Sequence, residues 1–349
     1  MILKSKLGIS FIGKANIERL IYITCKIFPQ DSKTLKRLKN LLLSLIAWRY
    51  GIILESIKPV ILQVEVVRGC NFNCIMCRAG ELEKEFMEFE QFKKILDKFE
   101  ESIALILNLE GEPFLSKDIL RMINYASERK KMIVSLFSNF SVIPKPEEII
   151  SSGLYEINAS IDTFDAKKFS QLRQNGNLKI VLKNLSAVIE TRKKMGKSIP
   201  IISLNATYSK ENAEDAENII QNSINLGVDR VKFQKLLKNL PRTHVKLNIP
   251  GKSEIEHLIK LKDKYRKKID VILNNFEFSD PKGYCYLAYL MQVIRVNGET
   301  YPCCMPHPFL ENGSFGYLLK DENRRERFIR DFRKSPKKFC QQCEMYYRK

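Results

Sequence analysis

The sequence contains no apolar stretch that approaches the roughly 20 residues of a membrane-spanning helix, which argues against an integral membrane protein. The segment from Met1 to Lys14 carries lysines but has no sustained apolar run and no small-residue cleavage site. We therefore predict no signal peptide. Both absences favour a cytoplasmic protein.

Histidine is scarce. The three histidines, His244, His257 and His307, do not have the spacing of paired zinc ligands, so a histidine-based zinc site is not predicted. We expect surface positions for them. Contact with a substrate is the alternative for His244, which follows the sixth predicted strand, and for His307, four residues after Cys303.

Acidic residues are few relative to basic ones: 40 acidic and 59 basic residues give a net charge of +19. Such a charge suits nucleic acid, an anionic membrane surface or an acidic substrate. A lysine-rich composition is also common in proteins without any such partner, so both interpretations stay open. Among the partners, nucleic acid is the weakest candidate and rests on charge alone.

Residues 1–60 form a predicted N-terminal extension with eleven basic and three acidic residues. Asp31 and Ser32 can cap a helix over 33–50. Its apolar residues recur near helical spacing, at Leu35, Leu38, Leu41, Leu42, Leu45 and Ile46. A basic amphipathic helix can lie on the inner membrane face. Packing against the main domain is the alternative.

From residue 61 to residue 235 the pattern alternates between strands and helices. Strands are predicted at 61–67, 103–109, 132–137, 155–161, 200–208 and 228–234. Helices are predicted at 86–100, near 116–129, after Pro146, near 176–195, and at 211–227 with Gly227 as the final glycine. Six such units predict an α/β fold with a parallel sheet and an active site at the carboxyl ends of the strands.

The rest of the chain divides into two further predicted parts. Residues 236–280 are basic and loop-like, with a helix near 253–268, and we interpret them as a linker. Residues 281–349 form a small C-terminal domain that holds five of the nine cysteines.

A first group of cysteines, Cys70, Cys74 and Cys77, follows the first predicted strand directly. In a reducing cytosol, clustered cysteines indicate metal binding rather than disulfides. Three thiolates on one loop can hold three irons of a cubane cluster and leave the fourth iron open for chemistry. A three-cysteine zinc site is the alternative.

This Cys-x3-Cys-x2-Cys arrangement resembles the radical S-adenosylmethionine (SAM) superfamily. The resemblance implies a partial (β/α)6 barrel and a [4Fe–4S] cluster whose open iron chelates SAM. It also implies cleavage of SAM to methionine and a 5′-deoxyadenosyl radical, which abstracts hydrogen from a substrate. Met76 stands where the family usually has an aromatic residue, which is a mild departure.

Other motifs follow in the order that the family has them. Glu110-Gly111-Glu112-Pro113 resembles the GGEP motif, which receives the amino group of SAM. The resemblance implies SAM contacts at Gly111, Glu112, Pro113, Ser138, Asn139, Ser160 and Asp162, with Asn205 as a weaker candidate. Capping of strand ends is the alternative for the polar residues of β-strand termini.

The C-terminal cysteines resemble those of SPASM and twitch enzymes of this superfamily, in the short form with one auxiliary iron–sulfur cluster, expected as [4Fe–4S]. The implied ligands are Cys285, Cys303, Cys340 and Cys343. Residues 293–304 predict a hairpin with an Asn297-Gly298 turn. A structural four-cysteine zinc site is the alternative.

Two cysteines lie outside these patterns. Cys25 is expected in an apolar core. Cys304 has three interpretations: a ligand in place of Cys303, a hydrogen-atom donor to a product radical, or a packed free cysteine. It is the weak candidate for a catalytic residue, and the sequence names no other.

The expected function is radical SAM chemistry on a substrate that the sequence does not name, with oxidation or epimerisation of a small molecule such as a sugar favoured. Modification of a peptide or protein is one alternative, and modification of a lipid or lipid-linked glycan at the membrane face is another. A non-enzymatic iron–sulfur electron carrier is the least favoured. A flavodoxin or ferredoxin is the expected reductant.

Overall fold

The structure is a computed structural model that describes residues 32–52, 54, 56–236, 247–274, 286–301 and 329–330. Its centre is one sheet in which the strands are β1 (Ile61–Val64), β2 (Ala104–Leu107), β3 (Ile133–Ser138), β4 (Glu156–Ser160), β5 (Ile201–Tyr208), β6 (Arg230–Lys235), β7 (Asp270–Asn274), β8 (Met291–Ile294) and β9 (Thr300–Tyr301). Their spatial order is β7-β6-β5-β4-β3-β2-β1-β8-β9. All neighbours are parallel except β8 and β9. This is the expected α/β sheet of a partial barrel.

Helices follow most strands, as βα alternation requires. They are α1 (Ser32–Tyr50), α2 (Phe89–Asp97), α3 (Ile119–Asn124), α4 (Pro146–Ser151), α5 (Ala166–Leu172), α6 (Leu178–Lys194), α7 (Ala216–Leu226), α8 (Lys252–Tyr265) and α9 (Tyr286–Leu290). Local chemistry sets their ends. Asn177 accepts from the N–H of Ile180 at the start of α6, and Gly227 ends α7 in the left-handed conformation (φ 81°) that glycine favours.

The main core lies between the sheet and helices α2 to α8. Strand β1 illustrates this burial. Three of its four residues are buried, as expected for a parallel strand that is covered on both faces. The predicted site residues follow the carboxyl ends of these parallel strands, so the sheet places them along one edge.

Helix α1 confirms the predicted N-terminal helix, and it packs on the main body. Leu41 is buried with Val60 and Ile103, which immediately precede β1 and β2. The helix therefore covers the amino-terminal edge of the sheet, opposite the edge that carries the cysteines. No helix in the described residues has the length and apolarity needed to cross a bilayer.

Two strands depart from the sequence predictions. The prediction of loop between residue 268 and residue 280 was wrong, because Asp270–Asn274 pairs in parallel with β6 as a seventh strand. The predicted hairpin is confirmed as β8 and β9, with Gly298 at φ 85°. Strand β8 also pairs in parallel with β1, a long-range contact that the hairpin pattern did not indicate.

Two segments that were each predicted as one helix consist of two helical types in the structure. The segment predicted as one helix at 211–227 begins with a 3-10 turn, Lys210–Asp215, before α7. The segment near 116–129 is α3 followed by a π-helical turn, Tyr125–Arg129. Apolar periodicity predicted both segments but does not distinguish one helical hydrogen-bonding pattern from another.

Candidate active site

The cysteine loop is fixed by backbone pairing at both ends. Val67–Arg68 pairs with Glu85–Phe86, and Asn73–Cys74 pairs with Arg173–Gln174. Within the loop, the N–H of Cys77 donates to the carbonyl of Cys74 at 2.9 Å. The loop is thus a built structure that presents its thiols at the carboxyl end of β1.

All three thiols are free and partly exposed. Backbone N–H groups point at two of them: Phe72 donates to Cys70 Sγ and Ala79 donates to Cys77 Sγ, each at 3.4 Å. Such donors stabilise a thiolate and tune a bound cluster. The donor set therefore suits a cluster held by soft sulfur ligands.

Geometry bears on the zinc alternative for these cysteines. Across the described residues, no three histidine, cysteine, aspartate or glutamate side chains are arranged to grip a single metal ion. A cubane cluster requires cysteine sulfurs that lie further apart than the ligands of one ion, because each cysteine binds a different iron.

Burial raises the pKa of the Cys70 thiol and raises that of Cys74 to about 12, although the Arg173 guanidinium acts in the opposite direction on Cys74. These thiols are therefore protonated at neutral pH without metal. Because metal ligation requires thiolates, loading of the site must release protons.

The Gly-Glu-Pro segment lies directly against the cysteine loop. Gly111 forms a parallel bridge with Gly69, and Gly69 donates to the carbonyl of Glu110 at 2.8 Å. A Cβ at Gly111 would lie 2.1 Å from the carbonyl oxygen of Val67. Only glycine permits this approach of the two backbones.

The Glu112 carboxylate faces inward and is 2% exposed. It accepts from the N–H of Asn139 at 2.7 Å and from the N–H of Phe114 at 3.1 Å. Burial raises the pKa of Glu112 to about 7, against the effect of these donors. The carboxylate thus ties the segment to the end of β3.

Asn139 connects the end of β3 to the cysteine loop. Its Nδ2 lies 3.6 Å from Cys70 Sγ and donates to Asn71 Oδ1 at 2.9 Å. Ser141 donates to Asn139 Oδ1 at 2.6 Å and accepts from Asn71 Nδ2 at 2.7 Å. Asn71 and Ser141 were missed from the sequence, although Asn71 lies inside the cysteine motif itself.

Asp162 is fully buried and forms an ion pair with Arg173, with Nε and Oδ2 2.7 Å apart. Its Oδ1 also accepts from the N–H of Thr207 at 2.7 Å. The Arg173 Nη1 lies 3.9 Å from Cys74 Sγ. Arg173 was not predicted as a site residue, and its partners place it between the β4 terminus and the cysteine loop.

A second charge network joins the cysteine loop to the hairpin. Arg78, next to Cys77, holds Glu110 through two hydrogen bonds of 2.6 and 2.8 Å. Arg295 contacts both Glu110 and the fully buried Glu65. Burial alone would raise the pKa of Glu110, but Arg78 and Arg295 hold it below its usual value.

The remaining predicted contacts lie at the same edge. Ser138 is buried, and its hydroxyl accepts from the N–H of Phe140 at 2.9 Å. Ser160 is half-buried and lies beside Asn205 in the register of β4 and β5. Pro113 begins the 3-10 turn Pro113–Leu115. The structure therefore places these residues at the carboxyl edge of the sheet, which also carries the cysteine loop.

Several predicted residues lie outside the described part of the chain. These are Cys25, Cys285, Cys303, Cys304, Cys340, Cys343, His244 and His307. His257 is described and is exposed on α8.

Comparison with curated proteins identifies relatives by sequence. The chain is 25% identical over 177 residues to the GTP 3′,8-cyclase of Saccharophagus degradans, covering 48% of this chain and 51% of that protein. It is 22% identical over 287 residues to the GTP 3′,8-cyclase of Shewanella denitrificans, covering 75% of this chain and 81% of that protein. The chain spans about half the length of the first of these relatives.

Solved structures share the fold. SuiB of Streptococcus suis, bound to the precursor peptide SuiA, superposes with a TM-score of 0.67 at 19% identity, over 96% of this chain and 81% of that chain. Native anSMEcpe with bound AdoMet and a peptide gives 0.61 at 15% identity, over 82% and 86%. Residues 64–222 match the family model described as Radical SAM superfamily. Those residues contain the cysteine loop, the Gly-Glu-Pro segment and Arg173, so this part of the chain is similar to the radical SAM superfamily.

Proposed function

We propose that the chain binds a [4Fe–4S] cluster through Cys70, Cys74 and Cys77 and uses SAM to abstract hydrogen from a substrate. When bound, the cluster supplies the electron that splits SAM into methionine and a 5′-deoxyadenosyl radical. The observation that carries the proposal is the direct contact of this loop with the Gly-Glu-Pro segment, through the Gly69–Gly111 bridge. That bridge puts the proposed cluster ligands and the proposed SAM amino-group site side by side.

The residues of the chain perform separate tasks in this proposal. Gly111 lets the backbone approach closely, so carbonyl oxygens at the strand end can accept from the SAM ammonium. The Glu112 carboxylate already accepts two backbone N–H groups, so it holds the segment in place. Asn139 fixes the cysteine loop on the other side. Ser160 and Asn205 are offered as polar contacts for the ribose.

Metal analysis and electron paramagnetic resonance (EPR) test this site. After anaerobic reconstitution and reduction, we expect an iron–sulfur signal that changes when SAM is added. A variant with Cys70, Cys74 and Cys77 all replaced by Ala should lose about four irons per chain and the SAM-dependent change. The proposal would be refuted if the protein contained zinc in place of iron, or if the EPR signal did not change when SAM was added.

We further propose one auxiliary cluster at Cys285, Cys303, Cys340 and Cys343. Two cubanes require about eight irons per chain. Cys340→Ala should leave the signal of the first cluster and its SAM response intact. It should reduce product formation and leave uncoupled SAM cleavage. Loss of both clusters in this variant would contradict separate sites and separate roles for the two clusters.

For the substrate, we favour a small molecule that is oxidised or epimerised, because the sequence relatives are named for a small-molecule reaction, GTP 3′,8-cyclisation. Mass loss of two hydrogens, or uptake of solvent deuterium, would identify the outcome. Sugars and nucleotides are the first candidates to test. A flavodoxin or ferredoxin is the proposed reductant.

A peptide is the second candidate substrate. It is favoured by the superposition on peptide-bound SuiB over 96% of this chain. Candidate small molecules and peptides can be compared in one assay that follows substrate-dependent formation of 5′-deoxyadenosine. Stimulation by a peptide alone would exclude the small-molecule proposal.

A further inference from the structure

Helix α1 exposes an unusual amount of apolar side chain. In the described part of the chain, the three most exposed large apolar residues are Leu35 (69%), Tyr50 (69%) and Leu42 (59%), and all lie on this helix. Leu35, Leu42 and Arg49 are spaced by seven residues, so they form one line along the helix. Scattered apolar residues are normal on a surface, but two leucines on one line of a helix, with an exposed tyrosine near its end, call for an explanation.

The opposite face of α1 is held firmly to the body of the protein. Arg37 donates to the carbonyls of Glu100, Lys130 and Lys131 at 2.8, 2.6 and 3.1 Å. Asn40 exchanges two hydrogen bonds with the backbone of Lys58. Because Arg37 and Asn40 are themselves buried, the helix cannot turn to bury its exposed leucines without breaking these contacts.

The exposed face of α1 is also basic. Lys33, Lys36, Lys39 and Arg49 are exposed, and residues 32–50 contain no acidic side chain. Apolar side chains in a line with cations beside them match a membrane interface. The leucines enter the boundary between headgroups and acyl chains, and each basic residue is attracted to anionic lipid.

We propose that this face of α1 docks the protein on an anionic membrane surface. The geometry also sets the orientation of the docked protein. Leu41 packs on the residues that precede β1 and β2, whereas Cys70 follows β1, so the cysteine loop lies at the far edge of the sheet from the bilayer. The docked protein presents its site to the aqueous phase. This placement disfavours direct attack on a bilayer lipid.

Vesicle sedimentation of the full chain tests the docking. We expect binding to vesicles of phosphatidylcholine mixed with phosphatidylglycerol, weak binding to phosphatidylcholine alone, and loss of binding in high salt. Lys36→Glu with Lys39→Glu should weaken binding roughly tenfold or more. Leu35→Ser with Leu42→Ser should weaken it at unchanged net charge. These side chains are exposed, so the variants should keep the circular dichroism spectrum of the wild type.

The matched control is Lys179→Glu with Lys183→Glu, which makes the same charge change at exposed positions of α6. It should bind like the wild type. If the control lost as much vesicle binding as the α1 charge variant, net charge alone would explain the loss, and the proposal would be overturned. So would wild-type binding by the α1 charge variant, or no preference of the wild type for anionic vesicles.

A second readout locates the contact without any variant. Trp48 is the single tryptophan of the chain and lies on α1. Energy transfer from Trp48 to dansyl-labelled lipid should appear when anionic vesicles are added. Sedimentation with vesicles but without energy transfer would place the contact elsewhere on the chain and overturn the proposal.

Discussion

Arg173 lies between Asp162 and Cys74: its Nε is 2.7 Å from Asp162 Oδ2, and its Nη1 is 3.9 Å from Cys74 Sγ. The ion pair is buried, with side-chain exposures of 9% and 0%. A buried cation beside a cluster ligand stabilises the reduced, more negative state of a bound cluster. If the proposed cluster is bound at Cys74, Arg173 is therefore expected to position this ligand and to supply positive charge beside it.

Arg173→Met should lower the reduction potential of the cluster, by on the order of tens of millivolts, while iron remains bound. EPR-monitored redox titration measures this change. Asp162→Asn in the same chain removes the opposing charge and should return the potential toward the wild-type value. The control is Arg192→Met, which breaks another arginine–aspartate pair, between buried Arg192 and exposed Asp229. An equal shift in that control would contradict a local effect of Arg173.

The stability contribution of Glu112 should depend on pH. Its pKa rises from 4.5 to about 7 on burial, so below 4.5 both folded and unfolded states are protonated. As pH rises from 4.5 to 7, the unfolded state ionises first, and folding stability is lost. Glu112→Gln does not titrate. The free energy of unfolding of the wild type, relative to this variant, should therefore fall by about 3 kcal/mol across the window.

Urea unfolding of both proteins across this pH range measures the difference. A difference that stays constant with pH would show that the Glu112 pKa is not raised in the folded protein. Because the glutamine amide cannot accept from both Asn139 and Phe114, the variant should also be less stable by about 1–3 kcal/mol above the window.

Gly111→Ala should damage the site. The new Cβ would meet the carbonyl oxygen of Val67 at 2.1 Å, and backbone cannot move aside as a flexible side chain can. We expect the Gly69–Gly111 bridge to open, with loss of the SAM-dependent EPR change. Gly196→Ala is the control: its Cβ would meet no atom within 4 Å, and the strain of alanine at φ 62° should lower stability but leave the SAM response intact. Normal SAM response in Gly111→Ala would contradict the close approach of the two segments.

The pair of Glu65 and Arg295 should be strongly coupled. Both side chains are buried, with exposures of 0% and 4%. Arg295→Met leaves the Glu65 charge without its cation and should cost about 3–5 kcal/mol of stability. Adding Glu65→Gln should recover part of the loss. Denaturant unfolding of the four proteins gives the coupling energy. Additive losses in the two single variants would contradict the pairing.

The sequence predicted most of the sheet because its signals are local. Apolar runs such as Ile103–Leu109, separated by helical segments, identify the strands of a parallel sheet, and Gly227 marks a helix end at its own position. The cysteine loop and Gly111 were likewise predicted from short motifs. The order of β1 to β6 follows from the short connections between them.

What the sequence did not predict depends on contacts across the fold. Arg173 meets Cys74 across 99 residues, and Arg295 meets Glu65 across 230, so no local pattern pairs them. Strand β7 is short, and its run of three apolar residues is too brief to separate strand from loop. Asp162 was predicted to contact the ribose, and the structure places its carboxylate on Arg173; its role toward SAM stays a prediction.

Formation of 5′-deoxyadenosine tests the central claim most directly. The wild type and the triple variant with Cys70, Cys74 and Cys77 replaced by Ala are reconstituted anaerobically, reduced with dithionite and given SAM. Chromatography then measures the product. The wild type should form 5′-deoxyadenosine and the variant should not. A wild type that carries the reduced cluster, is supplied with the candidate substrates and forms no more product than the variant would contradict the claim.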